Sequence, residues 1–142
     1  MGLRRKCCGI ALGTNYSPLP SLPSDGTSAI LSTVTITVHE PTDTVRLMAS
    51  IWSQTSSSTV LTSPLRGNTV QYLIVRTSNN ATIRNVLDTD FDEMTTTFTA
   101  FDQPGVGTYT YNLVGSISRS TAPAQNEVVL SVNFTAEELN VV

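Results

Sequence analysis

Apolar and polar residues alternate with a period of two along most of the chain. Val34, Ile36 and Val38 fall on one face, with Thr33, Thr35 and Thr37 opposite. Pro41-Thr42-Asp43 predicts a turn, after which Val45, Leu47, Ala49 and Ile51 share a face. A Ser-rich loop is expected over 53–58, a short apolar stretch at Val60-Leu61 and another turn at Pro64 and Arg66-Gly67-Asn68. Val70, Tyr72 and Ile74 begin a strand that Ser78-Asn79-Asn80 ends. Further strands are predicted over 83–87 and 95–101, the latter closed by Gln103-Pro104-Gly105. Tyr109, Tyr111, Leu113 and Ile117 alternate with hydroxyl and amide residues, and Val128, Leu130, Val132 and Phe134 complete the set. Alternation of this kind marks half-buried strands, and Pro, Gly, Asn and Asp mark the turns between them. No segment has helical periodicity, apart from one expected turn at 136–139.

About eight short strands predict an all-β fold: a single antiparallel jelly-roll β-sandwich, ahead of an immunoglobulin-like one, whose Cys…Trp…Cys pattern is missing. The expected core comprises Val34, Ile36, Val38, Leu47, Ala49, Ile51, Tyr72, Ile74, Tyr109, Tyr111, Leu113, Val128, Leu130 and Val132. This domain is predicted to occupy residues 28–142. Residues 1–27 are expected to form an extended arm. Its first part is basic and holds Cys7 and Cys8. Its second carries Pro18, Pro20 and Pro23 among serines and ends in Asp25-Gly26-Thr27, the composition of a semi-stiff linker.

Charge changes the picture little but excludes one class. The net charge is −3, and 13% of residues are charged. The one lysine, Lys6, lies beside Arg4 and Arg5; the other five arginines are scattered. With no basic face on the body, nucleic acid is not an expected partner. No apolar run is long enough to span a membrane. Cys7–Gly13 follows basic residues as a signal peptide's apolar region would, but it is short and broken by glycines.

Catalytic chemistry is poorly represented, and the chain is read as a non-enzyme without a cofactor. His39 is the sole histidine, no Gly-x-Ser-x-Gly elbow occurs, and Gly105-Val106-Gly107 follows a proline in a β-turn where a phosphate loop would open a helix. Asp88, Asp90 and Asp92 recur at every second position and would project to one side of an extended segment, where a hard cation such as Ca²⁺ would relieve their repulsion. The spacing starts like an EF-hand loop, but Glu93 and Thr99 occupy the positions that need Gly and Glu. A solvated acidic loop is the competing reading. Trp52 and Tyr16 are candidates for stacking on a sugar ring; Trp52 is otherwise a core or interface residue. Asn80-Ala81-Thr82 and Asn133-Phe134-Thr135 match the glycosylation pattern.

Cys7 and Cys8 are the only cysteines. Adjacent residues do not bridge without strain. A relaxed disulfide must therefore be intermolecular, and two thiols per arm permit two cross-links. Unpaired thiols are the alternative. An arm of this kind ahead of a compact β-body predicts a subunit that binds other copies of itself.

The segment Phe101-Asp102-Gln103-Pro104-Gly105-Val106-Gly107-Thr108-Tyr109-Thr110-Tyr111 and the closing stretch Phe134-Thr135-Ala136-Glu137-Glu138-Leu139 resemble jelly-roll heads of surface proteins from spore-forming Gram-positive bacteria, in exosporium and phage-fibre proteins. The cysteine-bearing arm resembles endospore appendage subunits, whose N-terminal connectors form disulfides between stacked subunits. The chain lacks the Gly-X-Y stalk of the former and a body cysteine to receive the arm of the latter. The resemblance implies an extracellular or spore-surface structural subunit that self-assembles into a filament, its arm docking into a neighbour, with other surface-layer proteins or glycans as further partners. A trimeric receptor- or carbohydrate-binding head is the alternative implication.

Overall fold

In the computed structural model, residues 9–56, 67–90, 92–120 and 124–140 are described. Cys7, Cys8, Val60, Leu61, Pro64 and Arg66 lie outside them. The described residues form ten strands: β1 (Ile10–Leu12), β2 (Thr14–Asn15), β3 (Ser21–Leu22), β4 (Ala29–Val38), β5 (Thr44–Thr55), β6 (Asn68–Arg76), β7 (Ala81–Asp90), β8 (Glu93–Asp102), β9 (Gly107–Ser120) and β10 (Glu127–Leu139). No helix occurs among the described residues.

All strand pairs are antiparallel and build two sheets. One sheet runs β1–β10–β5–β8, with β3 beside β1 on the outer side of β10; the other runs β2–β4–β9–β6–β7. If the N-terminal segment counts as strand one and β4 to β10 as two to eight, the sheets read 1-8-3-6 and 2-7-4-5. That double Greek-key order is a jelly roll. Each connection crosses between sheets except the β6–β7 hairpin, whose Asn80 takes a positive φ of 54°.

The period-two pattern explains the core. Val34, Ile36 and Val38 from β4 face Val45, Leu47, Ala49 and Ile51 from β5, all buried. Val70, Tyr72, Ile74, Tyr111, Leu113 and Ile117 complete one inner face; Phe98, Ala100, Val132, Phe134 and Ala136 complete the other. The Tyr72 and Phe98 rings stack across the two layers with centroids 6.5 Å apart. Outward hydroxyls pair across β4 and β9: Thr35 with Thr110 at 2.9 Å and Thr37 with Thr108 at 3.0 Å. The Thr-rich rows thus satisfy one another on the surface.

Several expectations change. Val128 and Leu130 are half-buried, because a β-bulge between Val129 and Ser131 reverses the parity of β10 and brings Glu127 and Val129 inward. Tyr109 is half-buried, its hydroxyl donating to the Pro104 carbonyl at 2.9 Å. Strand β5 continues through Ser53 and Thr55, both inward, where a loop was expected. Residues 136–139 stay in β10 and form no helical turn. The proline-containing stretch expected as a linker contributes β3, with Leu22 fully buried.

Candidate functional site

Residues 9–22 cross the open side of the sandwich, where β10 and β4 are the outer long strands. β1 pairs with β10, Ile10 opposite Glu137 and Leu12 opposite Thr135. At Gly13 the chain steps between layers: its N–H donates to the Phe134 carbonyl at 2.6 Å. A Cβ here would lie 2.6 Å from Ser32 Oγ and 2.7 Å from the Phe134 oxygen, so only glycine fits. β2 then pairs with β4, the Asn15 amide donates to the Val132 carbonyl at 2.8 Å, and β3 returns to β10. Leu22 enters the core over Gly115, next to Leu31. Only seven residues are in strand here, and Ile10 and Leu12 are 65% and 77% exposed. Cys7 and Cys8 are one and two residues ahead of Gly9 in sequence.

Beside β1 a cleft of about 220 Å³ is lined by Gly9 to Ala11, Thr35 to Thr37, His39 and Glu138. His39 is exposed; its Nδ1 lies 2.8 Å from the buried Glu138 carboxylate, which also accepts from the His39 backbone N–H at 2.7 Å. This pairing ties the end of β4 to β10. No cysteine or hydroxyl nucleophile is hydrogen-bonded to the imidazole among the described residues.

The outer face of β10–β5–β8 presents Trp52 near the end of its middle strand, opposite Thr95 on one side and Ser131 on the other. Trp52 is 41% exposed, and its Nε1 donates to Glu93 at 2.5 Å, which fixes the ring. Met48 and Phe101 are exposed on the same face, and a groove of about 220 Å³ there is lined by Met48, Ala49, Ser50, Thr97, Asn133 and Thr135. The aromatic candidate is therefore a surface residue.

The three aspartates part company. Asp88 is half-buried and accepts from Thr96 Oγ1 at 2.7 Å. Asp90 is buried, and its Oδ1 accepts from the Asp92 N–H at 2.8 Å. Asp92 lies past the strand end and is exposed. No group of three or more His, Cys, Asp or Glu side chains is placed to hold a metal ion among the described residues. Sequence reasoning missed Glu127, which is fully buried from the opposite sheet and accepts from Asn68 Nδ2 at 3.0 Å. Burial, and then Asp90, push its carboxyl up to about 8. Its parity with Val129 was the available signal, masked by the bulge.

The Asp-Gln-Pro-Gly-Val-Gly stretch has a structural role. Asp102 accepts from Tyr111 OH at 2.7 Å and from Arg76 Nη2 at 2.9 Å, while Tyr109 OH holds the Pro104 carbonyl over the positive-φ Gly105 and Gly107. Burial and the Asp102 bond raise the Tyr111 phenol.

No family model matches the chain, and no curated protein does. Among solved structures, the CBM22-1 xylan-binding domain of Xyn10C from Paenibacillus barcinonensis is similar at 10% identity and a TM-score of 0.36, over 92% of this chain and 87% of that one. A likeness so distant carries no argument about function.

Proposed function

We propose that the protein is a non-catalytic structural subunit that self-associates through residues 9–22, in an extracellular or spore-surface filament. The observation that carries this reading is the seating of that segment. It is a short element laid on both sheet edges and anchored by Leu22 in the core. The Pro23–Ser28 connection is the hinge. Its turn is held by the Gly26 N–H to Pro23 carbonyl bond at 3.3 Å and the Ser24 N–H to Asn126 bond at 3.0 Å. Straightening it would deliver the same strands to the β10 and β4 edges of a neighbour, with identical main-chain pairing. Such exchange has a low thermodynamic cost, and head-to-tail exchange that does not close produces fibres. Cys7 and Cys8 would then cross-link the junctions. Electron microscopy with non-reducing gels of wild type and the double Cys7→Ala/Cys8→Ala variant tests this reading. Fibres with a disulfide ladder, lost in the variant, support it; a monomer under oxidising conditions refutes it.

A second reading has its own observation. Trp52, with its ring fixed by Glu93 and flanked by Thr95, Ser131, Thr97 and Asn133, forms an apolar platform bordered by hydroxyl and amide groups, the surface a sugar ring requires. This favours a carbohydrate-binding head. Selective glycan binding abolished by Trp52→Ala would establish it.

A further inference from the structure

At the end of the sandwich opposite His39, the core turns polar. From one sheet, Ser53 and Thr55 of β5 and Glu127 of β10 point inward, with Gln125 two residues before Glu127 also buried. Thr55 and Glu127 are direct cross-strand partners. From the other sheet, Asn68 and Tyr72 of β6 and Asp90 of β7 point inward, Asn68 opposite Asp90 in register. Among the described residues, six oxygens in this region are buried without a partner in ordinary hydrogen-bond geometry: Asp90 Oδ2, Glu127 Oε2, Ser53 Oγ, Thr55 Oγ1, Tyr72 OH and Gln125 Oε1. Their residues are all more than nine-tenths buried. The groups face one another: Glu127 interacts with Asp90, Asn68 and Ser53, and Tyr72 with Ser53, as loose hydrogen bonds that, apart from the Asn68 one, fall outside ordinary hydrogen-bond geometry. Buried polar atoms are almost always paired, and unpaired ones are normally few and scattered. Here they gather around two carboxylates.

We propose that this polar end of the core is a binding site for a hard divalent cation, Ca²⁺ by its donor chemistry. Two carboxylates at close quarters cannot both stay ionised in the interior without a compensating charge. A single shared proton would join Asp90 to Glu127, and Ser53 lies within reach of both Glu127 and Tyr72, but Thr55 Oγ1 and Gln125 Oε1 would stay unpaired. A doubly charged ion balances both carboxylates and uses the neutral oxygens as well. The donor set is entirely oxygen, which disfavours zinc and other softer metals. Neutral protein oxygens in an irregular array suit the six to eight ligands that Ca²⁺ accepts, whereas Mg²⁺ keeps several waters in a strict octahedron. The surrounding contacts prepare the site. Asn68 Nδ2 holds Glu127 Oε1 at 3.0 Å and is itself held by Ser120 Oγ, 2.8 Å from Asn68 Oδ1; the Asp92 N–H holds Asp90 Oδ1. Each carboxylate thus has one oxygen fixed and the other free to ligate. An ion here would tie β10 to β7 across the layers.

The test uses the full chain, stripped with EDTA and titrated with CaCl₂ by calorimetry and by thermal unfolding. The expected result is one saturable site per chain. At a free Ca²⁺ concentration a hundred times Kd, Tm should rise by roughly 10 °C. Glu127→Gln and Asp90→Asn should each weaken binding at least tenfold, while Asp88→Asn leaves it unchanged. If both site variants fail to fold, the wild-type titration decides. Absence of a saturable shift in wild type, or its retention in both variants, would overturn the proposal. So would a Glu127→Gln protein that outlasts a Ca²⁺-indifferent wild type at pH 8, because the pair would then hold a shared proton.

Discussion

Replacing Leu22 by alanine probes whether the N-terminal segment is part of the folded body. The side chain is fully buried, and it packs over Gly115 beside Leu31. A glycine offers no side chain to move into the space, and Leu31 is itself fully buried, so the cavity would collapse little. Leu→Ala changes in such sites cost about 3–5 kcal/mol, transfer and cavity terms together. Against a total stability of roughly 5–15 kcal/mol, that is a large share. For a domain of this size it corresponds to a fall in Tm of roughly 10 °C. Leu12→Ala is the control, because Leu12 is 77% exposed and should change stability by less than about 0.5 kcal/mol. Urea unfolding at several protein concentrations is the assay, read as a midpoint shift with the m-value unchanged. If Leu22→Ala and Leu12→Ala unfold together with wild type, Leu22 is not in the core, and the seating of residues 9–22 is refuted. If the strands are exchanged between copies, the Leu22→Ala penalty persists, and the midpoint of wild type rises with concentration.

Gly13→Ala should release β1 from β10, because the new Cβ meets the Phe134 carbonyl at 2.7 Å; protection of the Ala11 and Gly13 amides, which alternate toward β10, should fall in hydrogen exchange, and retained protection would contradict the close approach. Asp102→Ala leaves Arg76 and Tyr111 without their shared acceptor and should cost about 3–5 kcal/mol in denaturant unfolding; a loss below about 1 kcal/mol would show that the turn is held otherwise. Glu127 has a folded-state value of about 8 against 4.5 unfolded, so the native state holds the extra proton between them. In EDTA its contribution to stability is therefore complete below about pH 4.5 and is lost as pH rises through about 8; Glu127→Gln should flatten that decline, and an equally steep variant would refute the assignment. Trp52→Ala should leave the unfolding midpoint within about 1 kcal/mol of wild type, since the ring lies on the outer face; a larger loss would mean that it supports the core.

The long strands were legible because one face of each is buried and the other solvated, which writes alternation directly into rows such as Val34, Ile36, Val38 against Thr33, Thr35, Thr37. Parity failed where a bulge intervened: at Leu130 the inserted residue turned Val128 outward and Glu127 inward. β3, two residues long, is too short to show a period, so the proline-rich composition dominated the reading of residues 16–27. The polar end of the core was hidden for a related reason. Glu127 and Asp90 come from strands in different sheets, and Ser53 and Thr55 belong to a run whose composition signals a loop. The regular Asp88, Asp90, Asp92 spacing drew attention to three carboxylates on one segment, whereas the fold selects one of them and pairs it with a distant fourth.

Sedimentation velocity of the oxidised 142-residue chain over a hundredfold concentration range tests its self-association through the N-terminal segment. Association through exchanged N-terminal strands predicts a concentration-dependent series of species growing past the trimer, held by disulfides and collapsing in reductant once diluted. A single monomeric boundary at every concentration would contradict it, and a boundary that stops at the trimer would replace the filament with a closed head.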